Sequence, residues 1–235
     1  MTTTLITGAN KGLGYETARQ LIAAGHAVYI GARDPERGRP AAEQLGARFV
    51  QLDVTDDASV AAAAKTIEAD GGLDVLVNNA GVEGRTPDNA VIGAAAETAE
   101  HMAALFDTNV FGMVRMLHAF LPLLQRSAAP VVVNLSSGLS KTADLADPGG
   151  PVHFYPGVAY PASKTAVNTL TVQYAKAFPG IRINAVDPGY TATDLNGGTG
   201  TQTAPEGAEI IVRMARIRPD GPTGGYFDAS GPVAW

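Results

Sequence analysis

The 235-residue chain is 46% hydrophobic and 17% charged, which suits one globular α/β domain over residues 1–235 with a full core. Its net charge of −6 and the lack of any Lys/Arg block argue against a nucleic-acid or anionic-membrane partner. With no cysteine and four scattered histidines (His26, His101, His118, His153), disulfides and thiolate metal sites are excluded and no metal-ligand spacing appears.

Nothing reads as a secretion leader or a membrane-spanning run, so a cytoplasmic location is expected. A strand-like run over 3–7 leads into Thr7-Gly8-Ala9-Asn10-Lys11-Gly12-Leu13-Gly14, and residues 15–24 read as an amphipathic helix closed by Gly25. Glycines in a strand-to-helix turn let the backbone approach a pyrophosphate. The helix N-terminus adds N–H groups and the positive end of its dipole. The spacing is Gly-x-x-x-Gly-x-Gly, not the Gly-x-Gly-x-x-Gly of the standard dinucleotide fingerprint. A second strand, 27–30, runs out as Gly31-Ala32-Arg33. An acidic residue there usually meets a free ribose 2′-OH. The guanidinium of Arg33, with Lys11 in the glycine turn, suits a 2′-phosphate and so points to NADP(H). Asp34-Pro35 reads as a helix cap.

A short helix over 40–45 precedes a third strand, 48–52, which ends in Asp53-Val54. A carboxylate there can accept from an adenine amino group or cap the next helix, 56–69. Val75-Leu76-Val77 has the continuous apolar character of a central parallel strand. It ends in Asn78-Asn79-Ala80-Gly81, two amides and two small residues that admit a ribose or simply make a turn. Residues 83–93 read as a polar loop. A helical pattern over 94–125 breaks near Asn109 and Gly112, and a fifth strand, 131–133, leads to Ser136-Ser137-Gly138. A serine just past a strand end can donate to a substrate oxygen. Residues 139–158 read as a Gly/Pro-rich loop over a site.

Beyond that loop, Tyr160-x-x-x-Lys164 opens a helical run, and residues four apart share a helix face. An ammonium beside a phenol favours the phenolate, which makes Tyr160 a candidate proton donor and acceptor. A sixth strand, 181–186, is followed by Pro188-Gly189-Tyr190-Thr191-Ala192-Thr193, a helix over 205–217 and a last strand near 224–227. The alternation predicts a doubly wound Rossmann-type sheet, seven-stranded and mostly parallel, with ligands at the C-terminal strand ends.

Taken in order, Thr7-Gly8-x-x-x-Gly12-x-Gly14, Asn78-Asn79-Ala80-Gly81, Asn109, Ser137, Tyr160-x-x-x-Lys164 and Pro188-Gly189 resemble the short-chain dehydrogenase/reductase family over nearly the whole chain. Asn10-Lys11 and Ala32-Arg33 are similar to its NADPH-dependent carbonyl reductases. The resemblance implies reduction of a ketone or aldehyde, reversible in principle. It gives Tyr160 as the acid, Ser137 as donor to the carbonyl, Lys164 as tuner of Tyr160 and ribose ligand, and Asn109 as holder of a relay water. It places Gly8, Asn10, Lys11, Gly12, Leu13, Gly14, Arg33, Asp53, Val54, Asn79, Ala80, Gly81, Pro188, Gly189, Thr191 and Thr193 around the cofactor, with Val110 an alternative to Thr191 at the nicotinamide end. The partner would be a small carbonyl compound. Oligomeric state stays open between monomer and homo-oligomer, because the Ser137–Tyr160 gap is intermediate for the family. His153, Phe154, Tyr155 and residues 195–202 are expected to shape specificity, unless the aromatics simply anchor the loop by packing. The competing readings are an oxidative-direction dehydrogenase, a C=N or C=C reductase on the same scaffold, and a non-catalytic NADP(H)-binding regulator.

Overall fold

A computed structural model describes every residue from Met1 to Trp235. Strands β1 (Thr3–Thr7), β2 (Ala27–Ala32), β3 (Arg48–Gln51), β4 (Val75–Asn78), β5 (Val131–Leu135), β6 (Arg182–Val186), β7 (Tyr226–Asp228) and β8 (Gly231–Val233) form one sheet in the order β3-β2-β1-β4-β5-β6-β7-β8. All neighbours run parallel except β7 and β8. The sheet therefore has eight strands, one more than the sequence pattern predicts. The extra strand is only Gly231-Pro232-Val233, too short to show a period, and its proline is tolerated because β8 is an edge.

The inner strands are apolar on both faces because helices cover both. Leu5, Leu76 and Val132 pack with residues of α3 (Asp57–Ala69), α5 (Gly112–Leu124) and α7 (Ala159–Ala177). Ile6, Val77 and Val133 pack with α1 (Gly12–Ala23), α2 (Pro35–Leu45) and α8 (Ala204–Ala215). Each such fully buried aliphatic side chain contributes on the order of 1.5–3 kcal/mol.

Three helix starts differ from expectation. α1 begins at Gly12, ahead of the predicted residue 15, so the last two glycines of the turn lie in its first turn. α2 begins at Pro35, ahead of the predicted residue 40. Asp34 caps it by accepting from the Glu36 N–H at 2.9 Å, and Pro35 loses no bond at the first position. α4 (Ala99–Phe106) begins after Thr98, whose hydroxyl accepts from the His101 N–H at 3.1 Å, so residues 94–98 are loop. Between α4 and α5, Asp107–Phe111 form one π-helical turn, where the helical pattern breaks in the sequence. The short α6 (Thr142–Ala146) lies within the 139–158 insert. No helix is long and apolar enough to cross a membrane.

From β1 the chain builds outward through β2 and β3, then returns to place β4 on the other side of β1. The C-terminal ends of β1 and β4 thus flank the crevice where such sheets bind ligands.

Candidate active site

Thr7 closes β1 and holds the crevice together. Its hydroxyl accepts from the Asn79 N–H at 3.0 Å and the Ala80 N–H at 2.9 Å. Asn79 returns its side-chain amide to the carbonyls of Thr7 (2.7 Å) and Gly8 (3.2 Å). The Asn78 amide donates to Asn134 Oδ1 at 2.8 Å. Asn78 at the end of β4 therefore ties that strand to β5, and Asn79 just beyond it locks the glycine turn. Sequence reasoning gave Thr7 no role of its own, although a threonine directly before the first glycine was the available signal. Gly8 and Gly12 take φ of 64° and 58°, the left-handed region where a side chain is strained. Gly14 is required for space: a Cβ there would lie 2.6 Å from Asn79 Nδ2 and 2.8 Å from Ala9 Cα. Gly14→Ala should cost about 1–3 kcal/mol through overpacking, read as a lowered urea midpoint at unchanged m-value.

The α1 N-terminus has no side-chain cap on Lys11 and no acidic residue in its first turn, so its leading N–H groups can receive an anion. Lys11 Nζ, however, pairs with Asp194 at 2.7 Å, both groups exposed. Such a pair is worth roughly 0–1 kcal/mol, weak enough for Lys11 to be drawn elsewhere. Arg33 is exposed at the end of β2. Asp53 caps its own turn, accepting from the Thr55 N–H (2.9 Å) and hydroxyl (2.7 Å), while Asp56 caps α3. Val54 is buried against Gly112, and Leu13 packs towards Gly207 of α8. Asn10 is half-buried in the glycine turn. Gly189 (φ 77°) faces Gln202 beyond Pro188. Thr191 is buried, its hydroxyl donating to the carbonyls of Pro188 and Gly189 at 3.2 Å and accepting from Gln202 at 2.8 Å, so it faces its own loop. Thr193 sits against Gly12, its Cγ2 3.5 Å from where a Cβ would be. Val110 is buried inside the π turn.

Ser137, Tyr160, Lys164 and Asn109 converge beyond β5. Lys164 Nζ donates to the Leu135 carbonyl at 2.8 Å and lies 5.5 Å from the centre of the Tyr160 ring. Asn109 accepts from the Val82 N–H and donates to the Val82 carbonyl, each at 2.8 Å, and donates to Ser163 Oγ at 3.1 Å. The π turn aims its amide at these partners, linking the loop after β4 to the helix that carries Tyr160 and Lys164. Gly81 fits between: a Cβ there would be 3.3 Å from Asn109 Oδ1 and 3.6 Å from Lys164 Nζ. A small cavity beneath Lys164 is lined by Thr7, Asn78, Asn109 and Asn134, and Asn78 Oδ1 is buried without a partner.

The ionisation of this cluster is governed by burial as well as by neighbouring charge. Burial raises Tyr160 above the usual phenol range, the nearby Glu83 carboxylate adds to the rise, and Ser137 opposes it. Burial in turn pushes Lys164 down to about 8.

Residues 2–204 match the short chain dehydrogenase family. The chain belongs to that family. It is 31% identical to (+)-neomenthol dehydrogenase of Capsicum annuum, covering 95% of this chain and 94% of the relative. It is 32% identical to salutaridine reductase of Papaver bracteatum, covering 96% and 94%. Among solved structures, this short-chain dehydrogenase superposes on NADPH-bound carbonyl reductase from chicken fatty liver with a TM-score of 0.85 at 28% identity, covering 100% and 99%. With salutaridine reductase from Papaver somniferum the TM-score is 0.84 at 29% identity, covering 97% and 100%.

Proposed function

We propose that this short-chain dehydrogenase reduces a ketone or aldehyde to an alcohol with NADPH. The convergence of Ser137 and Tyr160, with Lys164 behind them, is the observation that carries the reading. Carbonyl reduction builds negative charge on oxygen, which needs placed donors and then a proton. Ser137 donates to that oxygen and Tyr160 delivers the proton. Lys164 holds the far side of the site and binds the cofactor ribose. The Asn109 amide is engaged with Val82 and Ser163, so in this reading it positions the loop after β4 and α7.

The residues present fit a phosphorylated dinucleotide. The uncapped start of α1 receives the pyrophosphate, and Arg33 and Lys11 meet a 2′-phosphate. Bound NADPH supplies the hydride. Gly8, Asn10, Gly12, Leu13, Gly14, Asn79, Ala80, Gly81, Pro188, Gly189 and Thr193 form the cofactor wall in this reading, with Asp53 and Val54 towards its adenine end. Thr191 supports the loop from behind. The partner is a small carbonyl compound.

Loss of NADPH absorbance against a panel of cyclohexanones, aryl ketones and aldehydes, with NADH in parallel, tests the proposal. Turnover with NADPH is expected; cofactor binding without turnover on any member would turn the reading towards a sensor. Arg33→Asp should reverse the NADPH/NADH preference in kcat/KM, and an unchanged ratio would remove Arg33 from the 2′-phosphate site.

A further inference from the structure

Glu83 follows Val82, the residue clamped by Asn109, and is 9% exposed. Both its carboxylate oxygens are engaged, by two different segments. Oε1 accepts from the Tyr155 hydroxyl at 2.7 Å, and Oε2 accepts from Arg85 Nε at 2.7 Å. Arg85 continues to the Asn89 carbonyl at 2.8 Å. A buried carboxylate is costly unless both oxygens are satisfied, so this arrangement is a fixed junction and not a surface pairing.

The junction joins two loops that border Tyr160. Glu83, Val91, Tyr155, Gly157, Val158 and Tyr160 meet around one closely packed gap that leaves no room for a water. The backbones of Gly93 and Gly157 also form an antiparallel bridge. At Gly157 a Cβ would lie 2.7 Å from the Tyr155 ring and 2.9 Å from Val91, so the two loops meet closely only because no side chain intervenes. Tyr155 is thus the side chain that ties the 139–158 insert to Glu83, beside the backbone bridge at Gly157. Phe154 beside it remains 85% exposed, an apolar ring held out on an anchored loop.

We propose that Glu83 is a positioning residue for the carbonyl substrate: by holding Tyr155 it fixes the insert in place beside Tyr160, where it borders the reacting carbonyl. The proposal rests on the reductase reading and adds to it a residue that touches none of the reacting atoms. Tyr155→Phe removes the bond while keeping the ring, and Glu83→Gln removes the charge while keeping the shape. The substrate probe is whichever panel carbonyl the wild-type chain turns over fastest.

In the full chain with NADPH, each variant should raise KM for that carbonyl about fivefold or more. The KM for NADPH should stay unchanged, and kcat for Tyr155→Phe should stay within roughly twofold. Amide exchange over residues 139–158 should quicken about tenfold. Unchanged exchange, or faster exchange with the carbonyl KM unmoved, would overturn the proposal. A wild-type chain inactive on the whole panel would overturn the reductase reading and the substrate-positioning role with it, while the exchange measurement would still decide the anchor.

Discussion

Replacing Tyr160 by Phe should abolish turnover, by about a hundred- to ten-thousandfold in kcat, while NADPH still binds. The substitution removes one oxygen and leaves a ring buried at the start of α7. Ser137 keeps its hydroxyl and can still polarise a carbonyl, so a small residual rate is expected. The developing alkoxide, however, has no proton source left at the site. Lys164 does not substitute for it, because its ammonium is bonded to the Leu135 carbonyl. The check pairs single-turnover kinetics with a fluorescence titration of NADPH. Full activity in the variant would sink the proposed acid, and lost NADPH binding would point to a disturbed fold instead.

Lys164→Met should also stop the reaction, by at least about a hundredfold, yet leave the fold as stable as wild type or more stable at pH 7. Lys164 is buried and its native pKa falls from 10.5 to about 8. That shift corresponds to roughly 3 kcal/mol charged against folding while the native lysine carries its proton. Methionine removes this cost at similar volume, although it deprives the Leu135 carbonyl of a donor, a loss of about 1–3 kcal/mol. The sign with pH follows from the depressed native value. Between about 8 and 10.5 the unfolded lysine holds the proton more tightly than the native one, so wild-type stability gains on the variant as pH rises through that window. Below the window the full penalty is present in wild type. Urea midpoints of both proteins at pH 7 and pH 10 test this. A variant several kcal/mol weaker at pH 7 would mean that the buried ammonium is compensated by more than the Leu135 carbonyl.

Much of this site was legible because its parts are local in sequence. Tyr160 and Lys164 lie one helical turn apart, and the glycine turn sits between an apolar strand and an apolar helix face. Strands β2, β4 and β5 stood out because burial on both sides leaves nearly unbroken apolar runs. What stayed hidden depends on distant partners. Lys11 meets Asp194 across 183 positions, and Glu83 read as part of a polar loop although it is buried under Tyr155. The burial of Tyr160 was also hidden, because spacing shows which charge is near but not how much water is gone.

The π turn at Asp107–Phe111 has a consequence for how such a site is inherited. One extra residue in a helix turns everything beyond it by about 100°. Leu105, on the N-terminal side, packs with Ala159 and Tyr160, while Met113, Met116, Leu117 and Phe120 on the other side face the sheet. A regular helix of one residue less could present only one of these two faces correctly. The orientation of Asn109 is therefore encoded by a length of chain as well as by a letter. No series of point substitutions in an uninterrupted helix reproduces it; the step that creates or erases it is an insertion or a deletion.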